Sequence, residues 1–104
     1  MAWIVLVLSG LLETAWAIAL DRSAGFSRPV PSLVFAASLV ASMAGLAYAL
    51  REIPVGTGYA IWVGIGAVGT ALVGMLALDE PATLPRIGAL LLVVAGVVGL
   101  KLFH

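Results

Sequence analysis

The sequence predicts an all-α membrane protein, with four transmembrane helices forming a single domain over residues 1–104. Three observations carry this. The chain is 63% hydrophobic and only 10% charged, with a mean hydropathy of +1.23, too few charges to solvate the surface of a water-soluble domain. Its charged residues gather in clusters that leave four apolar runs between them. Each run is near the roughly 20 helical residues needed to cross a hydrocarbon core of about 30 Å. Helices are the required form, because lipid offers no partner to open backbone groups.

The first helix is expected over residues 2–20. Its "AWA" at 15–17 resembles a signal-peptide cleavage site, but no Lys or Arg precedes Glu13, so the run is read as a retained span. The loop "DRSAGFSRPVPS" follows, with two prolines. The second helix is expected over 33–50, closed by "REIP"; the third over 55–78, closed by "DEPATLPR"; the fourth over 87–103. The formal net charge of zero gives no reason to expect nucleic acid. The absence of cysteine removes disulfides, thiolate metal sites and Cys nucleophiles. The single histidine, His104, is terminal, and no role is expected for it. No cofactor or metal is expected, nor any enzymatic activity.

Four spans place Arg51 and Lys101 on one side of the bilayer, and Arg22, Arg28 and Arg86 on the other. Orientation follows the bias in basic residues. A difference of one is slight, so insertion in both orientations is expected.

Glu13 is the residue that demands an explanation. It falls near the middle of its run, at mid-membrane depth for a rise of about 1.5 Å per residue. A charge there costs at least a few kcal/mol and normally faces a cavity or a partner. Ser9 and Gly10 lie one turn before it, Trp16 and Ala17 one turn after, on the same face. No basic residue sits in the middle of another run to pair with it. Its natural partner is then a proton or an arriving cation. A neutral acid bonded between helices is the plainer alternative.

Tyr59 and Trp62 stand one turn apart on the third run. Aromatic faces attract cations and a Tyr hydroxyl can donate to a carboxylate, although aromatic residues near a boundary commonly anchor a helix at the interface. Trp3 and Phe103 are read as such anchors. Half of the twelve glycines lie on this run, at 56, 58, 64, 66, 69 and 74. Gly64 and Gly66 suit either close packing or a bend. Ser38 and Ser42 share a face of the second run with Gly45; membrane serines commonly bond their own backbone, the alternative being a polar role in the site. The fourth run lacks polar residues before Lys101, and Ala89, Gly96 and Gly99 suit a dimer seam.

A chain this small can build an inverted repeat around a mid-membrane site from two oppositely inserted copies. Two Glu13 carboxylates in one apolar pocket would titrate as a coupled unit. They would hold protons or a cation but not both well, and exchange of one for the other across the membrane is proton/cation antiport.

"LLETAWAIAL", "GFSR", "IPVGTGYAIWVGIGAVG" and "AGVVGLKL" together resemble the small multidrug resistance family, over essentially the whole chain. Trp16, one turn after the glutamate, resembles the guanidinium exporter subtype; quaternary ammonium exporters usually have Gly there. The resemblance implies an antiparallel homodimer in the cell membrane that exports guanidinium-like cations in exchange for protons. It implies Glu13 as the substrate and proton carboxylate, Trp16 and Trp62 as pocket walls, Tyr59 as a hydrogen-bond donor to the glutamate and Ser42 as part of the polar network. Gly10 would shape the pocket, Gly64 and Gly66 would match the family's helix bend, and the fourth helix, with Ala89 and Gly96, its dimer seam. Guanidinium is planar and rich in N–H donors, and carboxylates accept such groups through paired hydrogen bonds. The chain departs from the family pattern at Asp21, where Lys is usual, at Val63, where the subtype commonly has Thr, and at Thr14, where Val is common. Three rival readings stand: an exporter of quaternary ammonium or other hydrophobic cations, a rotor-type proteolipid carrying protons alone, and a structural membrane subunit with a silent acid.

Overall fold

The computed structural model describes residues 1–103, so His104 lies outside the described residues. Among them are four α-helices and no strand: α1 (Ala2–Arg22), α2 (Pro29–Ala49), α3 (Val55–Ala77) and α4 (Leu84–Phe103). All four are long and apolar enough to cross a membrane.

The helix ends differ from the sequence expectation in ways that follow from capping. α2 begins one turn early because Pro29 and Pro31 sit in its first turn, where the missing N–H has no intrahelical partner to lose. α4 likewise takes Pro85 into its first turn, and the Thr83 hydroxyl accepts the Arg86 N–H (3.4 Å) just outside the helix start. α1 runs to Arg22 and is closed by buried Ser23, whose hydroxyl donates to Leu20 O (2.7 Å) and accepts the Phe26 N–H (3.2 Å).

The helices lie side by side in the order α2, α1, α3, α4. α1 packs on α2 and α3, α2 also touches α3, and α4 packs on α3. At one end the Lys101 ammonium also sits over the Trp3 ring, 4.4 Å from its centroid. The molecule measures 41 × 35 × 17 Å, a slab about one and a half times as thick as one helix with its side chains. The core is correspondingly small: Ala2, Leu6, Leu46, Ala49, Ile53, Ile61 and Trp62, where α1, α2 and α3 meet. No residue of α4 is buried. In lipid the helices gain little from burying apolar surface; close approach matters more. Gly10 lets α1 meet α3, since a Cβ there would lie 2.9 Å from Ile65 Cβ, and Gly45 admits Ser9 of α1, with a Cβ 2.8 Å from Ser9 Cβ.

Candidate functional site

Glu13 projects from α1 toward α3 at Gly66. A Cβ on Gly66 would lie 2.7 Å from Glu13 Cβ and would overlap the carboxylate, so only glycine accepts the acid here. One carboxylate oxygen, Oε1, is buried and makes no hydrogen bond. Trp16, one turn on, places its ring edge-on to Phe35 of α2, with centroids 6.0 Å apart. Its indole N–H is also buried without an acceptor. The residues that carry this lone acceptor and lone donor both line one cavity. Unsatisfied buried polar groups are costly and uncommon, so the arrangement is one that a hydrogen-bonding ligand would relieve.

The cavity holds about 380 Å³, within the range of small-molecule sites. Glu13, Trp16 and Ala17 form one wall, and Val63, Gly66, Ala67, Thr70 and Ala71 the other. Glu80 and Arg86, from the α3–α4 connection, close its far end. The Gly66 carbonyl beneath the acid accepts two hydroxyls, from Thr14 (3.3 Å) and Thr70 (2.7 Å). Thr14, one of the departures from the family pattern, therefore ties α1 to α3 directly behind Glu13. Val63, another departure, faces the cavity with a methyl where a hydroxyl is common.

The remaining candidates fall in two places. Ser42 is fully buried; it donates to Ser9 O (2.6 Å) and accepts the Trp62 indole N–H (3.1 Å). This chain links α1, α2 and α3 one turn from Glu13. Ser38, by contrast, bonds the Val34 carbonyl of its own helix. Within one chain Trp62 belongs to the core and does not line the Glu13 cavity. Tyr59 is 55% exposed and stacks at a tilt on Trp62, centroids 5.9 Å apart. Among the described residues, no hydrogen bond joins Tyr59 to Glu13 within one chain. Gly64 meets α4, where a Cβ would lie 2.5 Å from Val97 Cγ2, and α3 is unbroken from Val55 to Ala77. Within one chain, Gly64 and Gly66 thus serve close packing. Ala89 and Gly96 lie exposed on α4, and nothing stands within 4 Å of a Cβ on Gly96.

Thr70, Glu80 and Arg86 were not singled out in the sequence. Thr70 was within reach, being one turn from Gly66 on the same face. Glu80 and Arg86 reach the cavity only because the connection folds back over Gly74, a tertiary fact that periodicity does not carry.

Fold and site together define a small multi-pass membrane protein with an acid-bearing cavity between its helices. The chain matches the family described as Small Multidrug Resistance protein over residues 1–103. It is 55% identical to the guanidinium exporter of Yersinia pseudotuberculosis serotype I (strain IP32953) over 102 residues, 98% of each chain. It is 52% identical to the guanidinium exporter of Salmonella typhimurium and 50% identical to that of Escherichia coli (strain K12), each over 102 residues, 98% of this chain and 97% of the relative. The protein belongs to the small multidrug resistance family and is a multi-pass protein of the cell membrane.

Proposed function

We propose that this protein exports guanidinium and small guanidinyl cations in exchange for protons, as an antiparallel homodimer with one shared Glu13 site. The reading draws on relatives named guanidinium exporter along nearly the whole chain. The observation that carries it is the Glu13 carboxylate, with a buried and unpartnered oxygen beside a cavity of small-molecule size.

The chemistry follows from that carboxylate. When ionised it accepts paired N–H donors from a planar cation, and the Trp16 ring beside it adds cation–π attraction and limits the volume. When protonated it is neutral and releases the cation. A slab with its acid on an open face needs a second layer to seal the chamber, and an inverted copy supplies one. Tyr59, exposed on a single chain, then fits as a donor to the glutamate across the interface. Ser42 and Trp62 brace the helices behind the site. The bare face of α4, with Ala89 and Gly96, forms the seam between subunits. Reversal of access proceeds by a bend at Gly64–Gly66, whose missing side chains leave α3 free to flex there.

The test is guanidinium uptake into proteoliposomes driven by a pH gradient. Uptake that follows the gradient in the wild type and is lost in Glu13→Gln supports the reading. Uptake indifferent to the gradient, or retained in Glu13→Gln, overturns it. Tetramethylammonium in place of guanidinium separates the rival substrate class, since it offers no N–H donors.

A further inference from the structure

The Glu13 cavity ends at an ion pair. Arg86 Nη2 lies 2.5 Å from Glu80 Oε1, and both residues line the cavity along with Glu13. Glu80 is held there by the chain reversal after α3. Its N–H donates to Gly74 O (3.0 Å), and its side chain folds onto Gly74, where a Cβ would lie 2.6 Å from Glu80 Cδ. α3 thus seats two carboxylates along one groove: Glu13 against Gly66 and Glu80 against Gly74. These glycines are eight positions apart, about 12 Å at the helical rise, and Thr70 lies between them on the cavity wall. The inner carboxylate has an unpartnered oxygen. The outer one already holds a guanidinium group, the head of Arg86.

We propose that Glu80 is an entry subsite for planar, N–H-rich cations, and that Arg86 is its built-in, exchangeable occupant; this rests on the export reading above. An arriving guanidinium has the same donor geometry as the Arg86 head. It replaces that head on Glu80, then moves along the groove to Glu13. The pair is suited to exchange because its side chains are 32% and 44% exposed, and ion pairs so exposed hold weakly. Arg86 swings back when the cation has moved inward, restoring the closed end of the cavity. In an antiparallel pair of subunits, each face of the membrane carries one such entrance.

This makes the two halves of one ion pair act in opposite directions. Glu80→Gln removes the subsite and raises KM for guanidinium in proteoliposomes, on the order of fivefold. Arg86→Ala frees Glu80 and lowers KM by a comparable factor. The double variant behaves as Glu80→Gln, because no carboxylate remains to unmask. Maximal rate and protons exchanged per guanidinium stay at wild-type values in all three. Arg86→Lys keeps the charge but lacks the planar fork, so it shifts KM toward Arg86→Ala; a general field effect would leave it at the wild-type value. Asp79→Asn, which removes a neighbouring exposed charge outside the cavity, leaves KM unchanged. All variants are compared as monodisperse protein by size exclusion. If Glu80→Gln and Arg86→Ala shift KM in the same direction or not at all, or if Asp79→Asn matches Glu80→Gln, the entry subsite is wrong while the export reading stands. Failure of the wild type to exchange guanidinium for protons would remove both.

Discussion

Gly66 sets how closely α1 approaches α3 at the acid. Its missing side chain is the space in which the Glu13 carboxylate sits. Gly66→Ala is expected to displace that carboxylate and lower kcat/KM for guanidinium about a hundredfold, the scale of an ångström-sized misplacement, measured as initial uptake rate in proteoliposomes. Ser42 acts differently, because it satisfies the Trp62 indole. Ser42→Ala leaves that donor buried without a partner, a loss of about 1–3 kcal/mol, read as a lower midpoint of thermal unfolding in detergent. At Glu13 itself the pH dependence has a definite sign. On the proposed exchange the cation binds the ionised carboxylate and the proton competes, so guanidinium binding is expected to weaken as pH falls. Where one proton is displaced per cation and the site is mostly protonated, the apparent Kd rises by about tenfold per pH unit, measurable by titration calorimetry. A pH-independent Kd would contradict the competition. The acid was legible in the sequence because a charge in an apolar run is expensive and has few explanations. The reason for Gly66 was not, since a glycine in a glycine-rich run signals close approach without saying to what.

At the scale of the helix, hydropathy marked four spans, because lipid leaves the backbone only one economical form. The ends moved by up to a turn. Pro29, Pro31 and Pro85 read as loop residues in a string of letters, yet each is compatible with a first helical turn. Which helices touch was not legible: four apolar runs with no strong polar stripe do not state their neighbours. The order α2, α1, α3, α4 is set by particular small residues, Gly10 at α1–α3, Gly45 at α1–α2 and Gly64 at α3–α4. α4 shows what this leaves unfinished, for none of its residues is fully buried and a Cβ on Gly88, Gly96 or Gly99 would meet no atom within 4 Å. Gly96→Trp is therefore expected to leave the chain inserted and helical while reducing the dimer fraction in chemical cross-linking. An unchanged dimer fraction would move the seam elsewhere.

At the scale of the molecule, one chain is a slab 17 Å thick, and on the proposed antiparallel pairing it supplies half of a chamber. The slight charge bias that suggested insertion both ways is testable by exaggerating it. Arg22→Ala with Arg28→Ala and Glu52→Lys places the excess of basic residues on the Arg51 side, and Arg51→Ala with Ser27→Lys places it on the other. Each variant alone is expected to confer no guanidinium resistance on cells, and the two expressed together to restore it; activity from either alone would contradict an antiparallel pair. The central claim is narrower than this architecture: Glu13 exchanges a proton for a guanidinium. The most direct measurement is proton release on adding guanidinium to purified protein in weakly buffered detergent solution, followed with a pH indicator. The account predicts release that saturates with guanidinium and is abolished in Glu13→Gln; no release from the wild type, or equal release from the variant, would contradict it.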